Sequence, residues 1–182
     1  MKTPRHASRA AVRRLCICAL LAAMSVTLAY IAKMIFGTGP LRITFENLPI
    51  VYAGVSFGPL AGVLVGIVAD LTSCLFAGQA PVPLITVGTV LIGLISGVLG
   101  YTLRRRLTRA RLILCELCAQ LTGSVLVKSA ALYIYFSYSP LLLWPRLPIY
   151  VGIALVEGYI LFLLFKNPSI RRLTAPSKEI RL

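Results

Sequence analysis

Apolar residues come in long runs along this chain, and a helix needs roughly 20 of them to cross a ~30 Å hydrocarbon core. The first run extends from Leu15 to Ile35 behind a basic stretch, Met1–Arg14. It is long for the apolar region of a secretory signal, and its removal would invert every later span, so it reads as a retained helix. A second block, from about Leu48 to Ala77, is too long for one helix. Gly58-Pro59 breaks it, because proline lacks the amide N–H and disfavours helix at the residue before it. A short second helix to Phe57 and a third from Pro59 to Phe76 follow. Gly78 to Pro83 reads as a loop. The fourth helix runs from about Leu84 to Leu103, the fifth from Leu112 to Phe136 and the sixth from about Trp144 to Lys166, with 137–143 as connector. Glycine recurs on the third and fourth helices (Gly62, Gly66, Gly88, Gly93, Gly97, Gly100), a composition that lets helices pack closely in lipid. No internal repeat is evident.

Composition supports the bilayer. Of the 182 residues 58% are hydrophobic and 13% charged, with a mean hydropathy of +0.88. A soluble domain carries closer to 25% charged residues. The formal charge of +14 comes from 19 Lys and Arg against five acids. Such a balance often marks a nucleic-acid partner, but here the charge sits in short runs between apolar spans, and no nucleic acid is expected. Three segments carry most of it: Lys2, Arg5, Arg9, Arg13 and Arg14; Arg104, Arg105, Arg106, Arg109 and Arg111; Lys166, Arg171, Arg172, Lys178 and Arg181. Six helices put all three on one side, which the basic residues mark as cytoplasmic. The expected fold is an all-α integral membrane protein, a six-transmembrane-helix bundle with both termini cytoplasmic. Its domain covers 15–166, between basic tails at 1–14 and 167–182.

Four cations remain: Lys33, Arg42, Lys128 and Arg146, all in the outer half or its loops. Lys128 is about 16 residues into the fifth helix, roughly 24 Å from the inner edge at 1.5 Å per residue. Asp70 and Glu157 fall near mid-depth. Ionisable groups at such depths are costly and face a bundle interior or cavity. The plainer alternative is mutual neutralisation, or snorkelling of the cations to the outer interface. A polar, outward-opening cavity lined by the first, third, fifth and sixth helices explains them together.

The five cysteines include Cys115-x-x-Cys118, yet all lie in apolar runs and the single histidine is His6. They read as small buried hydrophobes, with no metal or cofactor expected. No Gly-rich phosphate loop ending Gly-Lys-Ser/Thr occurs.

The stretch Leu41-Arg-Ile-Thr-Phe-Glu-Asn-Leu-Pro-Ile-Val-Tyr-Ala-Gly-Val-Ser-Phe-Gly-Pro-Leu-Ala-Gly-Val-Leu-Val-Gly-Ile-Val-Ala-Asp70 resembles the signature of energy-coupling factor (ECF) importer S components, most closely the folate-type branch. Pro83-Leu-Ile-Thr-Val-Gly, Leu91-Ile-Gly-Leu-Ile-Ser-Gly, Lys128-Ser129, Arg146-Leu-Pro148 and Glu157-Gly158 extend the likeness from Leu15 to Lys166. The resemblance implies a high-affinity substrate-binding subunit in the plasma membrane, without ATPase activity, whose pocket near the outer face is capped by loops. It implies a transmembrane T component and two ATPase subunits as partners. The family's small-residue motif on the first helix matches Ala19 and Ala23, a candidate partner interface. Folate has two carboxylates and a pterin edge that donates hydrogen bonds. Lys33, Arg42, Lys128 and Arg146 suit the carboxylates; Asp70, Glu46 or Glu157 suit the pterin edge, and Asn47 joins the candidate set. Phe45, Tyr135, Tyr138 and Trp144 are candidates to stack on it, with core or interfacial packing as their ordinary role. A thiamine site, holding a cation, is not expected to gather four basic residues. The competing expectations are an S component for thiamine, riboflavin, biotin or a queuosine precursor, an intramembrane enzyme, and a structural membrane protein. Against an enzyme stand the lone tail histidine and the lack of paired acids at metal-ligand spacing.

Overall fold

Proline and glycine set where the helices break. The computed structural model describes residues 4–37, 43–103 and 108–168, and every regular element among them is helical. α1 spans Pro4–Phe36, α2 Leu48–Phe57, α3 Pro59–Phe76 and α4 Pro83–Leu103. The predicted fifth helix begins earlier than expected, as α5 (Arg109–Gln120). It continues through a π-helical segment (Leu121–Val127) into α6 (Lys128–Phe136). α7 (Pro140–Leu143) is a single turn, and α8 (Arg146–Lys166) is the last element among the described residues. Part of the basic stretch before Leu15 is therefore helical, because α1 starts at Pro4.

Five stretches are long and apolar enough to cross a membrane: Ala11–Phe36, Pro59–Phe76, Pro83–Thr102, Arg109–Phe136 and Leu141–Lys166. α2 is not. Its ten residues rise only about 15 Å. It survives at that length because it is wrapped by protein. Pro49 to Ser56 are all buried, and it touches α1, α3, α4 and α8. A helix apolar all round belongs in an interior.

The α2–α3 break falls at Gly58, whose φ of 101° is open to glycine and strained for side chains. The chain folds back there as a tight helical hairpin. A Cβ on Gly62 would overlap the Gly93 carbonyl and lie 2.9 Å from the Gly54 Cα. Three glycines thus let α2, α3 and α4 meet backbone to backbone. Along α3 the bulky residues Leu60, Leu64, Val68, Leu71 and Leu75 face outward, while Gly62, Val65, Gly66 and Ala69 face inward. Small residues inside and large ones outside is the pattern of a helix solvated by lipid.

The core gathers Ile50, Val51, Ile92, Leu112, Leu161 and Phe165, with Tyr52 and Phe165 rings 5.2 Å apart. Of the cysteines expected to be buried, Cys115 alone is fully so, its thiol donating to the Ser96 carbonyl at 3.6 Å. Cys16 is exposed and the other three half-buried: Cys18 packs against the edge of the core, and Cys74 borders an internal cavity. Among the described residues no three His, Cys, Asp or Glu side chains converge.

Candidate functional site

The described residues leading into α2 do not stay outside the bundle. Residues 43–47 are non-helical, yet Thr44 and Asn47 are each 1% exposed. Irregular backbone at that depth is tolerated where it lines a cavity and its polar groups find partners. Here Thr44 Oγ1 accepts the Glu46 amide N–H at 3.1 Å, and Ser25 on α1 donates to the Glu46 carbonyl at 2.6 Å.

The cavity that this segment floors has a volume of about 160 Å³, many times what one water needs. Its charged lining residues on the long helices lie toward the helix ends opposite those that carry Arg13, Arg14, Arg109, Arg111 and Lys166. α1 supplies Ser25, Ala29 and Lys33; the entry segment supplies Glu46 and Asn47; α3 supplies Asp70, Ser73 and Cys74. α4 adds Ile85 and Thr89, α6 adds Lys128, Leu132 and Phe136, and α8 adds Arg146 and Tyr150, with Gln79 and Tyr138 from the loops. The expected walls are present, joined by α4, which sequence reasoning did not place there.

Lys33, Glu46, Asn47, Asp70, Lys128 and Arg146 line one cavity. Lys128 Nζ lies 3.6 Å from a Glu46 carboxylate oxygen, each side chain 12% exposed. Its stem therefore runs inward to an acid instead of snorkelling to the outer interface. Gly88 leaves the room for that stem: a Cβ there would stand 2.8 Å from the Lys128 Cγ. Asp70 accepts a 2.6 Å hydrogen bond from the Thr86 hydroxyl on α4. Arg146, 4% exposed, donates to the Ser124 carbonyl at 3.1 Å, and its guanidinium sits 5.0 Å from the centre of the Tyr150 ring. Counting side chains, three cations face two carboxylates, so the described lining carries a net positive charge.

The other candidates are placed elsewhere. Glu157 is fully buried behind the cavity, one layer down, where it accepts from Gln120 Nε2 at 2.6 Å. Phe45 is half-buried beside the floor and is not part of the lining. Tyr135 is exposed, and Trp144, also exposed, borders a separate shallow groove with Tyr133 and Leu147. Tyr138 does reach the cavity, with its ring 6.3 Å from Phe136 and nearly parallel to it. Arg42 lies outside the described residues. Ala19 and Ala23 form an exposed strip on α1.

Sequence reasoning missed Gln120 and Ser124, both fully buried. Asn47 Nδ2 donates to Gln120 Oε1 at 3.0 Å and approaches Ser124 Oγ at 3.3 Å. A signal was available. Glu116, Gln120, Ser124 and Lys128 recur every fourth residue through an apolar helix, which places them along one side of it.

The fold is similar to that of a crystal structure of FolT bound with folic acid. That match has a TM-score of 0.71 at 21% identity, over 90% of this chain and 98% of that one. No curated protein sequence matches significantly. Over residues 13–167 the sequence matches the ECF transporter, substrate-specific component family. With that match spanning nearly all of the helical bundle, the chain belongs to the substrate-specific components of ECF transporters.

Proposed function

We propose that this protein captures folate, or a reduced folate, from outside the cell and delivers it as the binding subunit of an ECF importer. The observation that carries the reading is one cavity holding both halves of the required chemistry. Lys33, Lys128 and Arg146 supply positive charge, and charge-assisted bonds to carboxylates are the strong ones. Asn47 and Asp70 supply acceptors for the donor edge of a pterin; the Asn47 Oδ1 is buried without a partner among the described residues. FolT, whose fold this chain shares, is bound to folic acid in its own crystal structure.

Transport then requires a transmembrane T component and two ATPase subunits, since the sequence has no phosphate-binding Gly-Lys-Ser/Thr loop. The exposed Ala19–Ala23 strip suits close approach of a partner helix. Arg42 joins the carboxylate-binding set on sequence grounds. Calorimetry on the detergent-solubilised protein tests the reading: saturable folate binding is expected with no ATP and no other subunit. Absence of heat with folate and its reduced forms, alongside saturable binding of thiamine or riboflavin, would overturn it.

A further inference from the structure

A primary amide offers a donor at one end and an acceptor at the other, and Asn47 can present either end to the cavity. The residues behind it decide which. Gln120 Nε2 donates to Glu157 Oε2 at 2.6 Å and lies 3.4 Å from Glu116 Oε1. One carboxyl oxygen from each of the two acids faces that nitrogen, so the structure sets the donor end of the Gln120 amide against the acid pair. Its oxygen then points the other way, toward the cavity floor. There Gln120 Oε1 accepts from Ser124 Oγ at 2.7 Å and from Asn47 Nδ2 at 3.0 Å, which fills both of its lone pairs. Asn47 has its donor end committed to this chain, and its Oδ1 is left buried with no partner among the described residues. Every member of the chain is at most 1% exposed, so its polarity is set by contacts within the protein.

We infer that Gln120 and Glu157 are positioning residues that set the hydrogen-bond polarity of the site, holding Asn47 so that it accepts from an N–H donor of the ligand. The inference rests on the folate reading and deepens it. The ligand's recognised edge must be a donor edge, as the amino and ring N–H groups of a pterin are, and an acceptor edge of the same shape is rejected. Asn47 is the contact; Gln120 and Glu157 act through it.

The test compares three ligands by calorimetry: folic acid, a pteroylglutamate whose donor edge is methylated, and pteroate, which lacks the glutamate. The unsubstituted protein is expected to prefer folic acid over the methylated ligand at least tenfold. In Gln120→Met, which keeps side-chain length and removes the amide, that preference should fall below threefold, while preference for folic acid over pteroate is retained. Glu157→Gln, which keeps shape but can donate as well as accept, should give an intermediate preference, and it decides the matter if Gln120→Met does not fold. Full donor discrimination in the variants overturns the inference alone. So does loss of both discriminations together, which marks a scaffold role. An unsubstituted protein that binds none of the three ligands overturns the folate reading and this inference with it.

Discussion

Lys128 is where a single side chain decides most. A lysine head far from the inner edge has two ways to avoid hydrocarbon, the outer interface or an internal partner, and here it takes the second, against Glu46. A charge-assisted bond from such a group to a ligand carboxylate contributes about 1.5–3 kcal/mol. Lys128→Met keeps most of the stem and deletes the charge. Folate affinity should fall about tenfold to a hundredfold, measured by calorimetry, while pteroate, lacking the glutamate, loses much less. Equal losses for both ligands would mean that Lys128 supports the fold through Glu46. Depth and charge made Lys33, Asp70, Lys128 and Arg146 legible in the sequence, since an ionisable group in an apolar run demands an explanation. Glu157 was legible as buried but not as second in line, because only packing reveals that Gln120 stands between it and the cavity. Uncharged Gln120 and Ser124 raised no such demand.

At the scale of elements, two features carry the geometry. The first is the glycine contact of α3 with α4, where a Cβ on Gly93 would overlap the backbone of Gly62. Backbone cannot rotate away as a side chain can, so Gly93→Ala should destabilise the fold by about 1–3 kcal/mol and lower its thermal midpoint in detergent. Gly152→Ala is the control: a methyl there meets nothing within 4 Å, so the midpoint should hold or rise. The second is the π-helical segment between α5 and α6, a form that often marks functional sites. Deleting one residue within 121–127 turns Lys128 about 100° around the helix relative to α5. Folate binding should then be lost even where the protein still purifies as a folded monomer, as gel filtration and calorimetry together would show. Helix number, the Gly58 break and most boundaries were readable from run length and proline. The π segment was not, because its register depends on Gly123 meeting the Gly88 carbonyl and Ile92 on α4, a contact between residues far apart in the chain.

For the whole molecule, the bundle is a multi-pass protein of the cell membrane, with its cavity toward one set of helix ends and Arg13, Arg14, Arg109, Arg111 and Lys166 toward the other. Binding and delivery should therefore separate. Replacing Ala19 or Ala23, exposed on α1, with leucine should spare folate affinity measured in detergent. Energy-dependent uptake into vesicles holding the complete transporter should be impaired if that face meets the partner. Unimpaired uptake would remove the strip from the interface. The short central helix has a consequence for how such a protein is made. An insertion machinery that tests segments one by one for length has no reason to release α2 into lipid, because ten residues cover only about half the hydrocarbon. α2 must enter together with α3 as one hairpin, and its burial is complete only when α8, which it touches, has been synthesised. Nascent chains arrested before Arg146 should be membrane-integrated yet unable to hold vitamin. Ligand binding is thus acquired late, once α8 has joined the helices made before it.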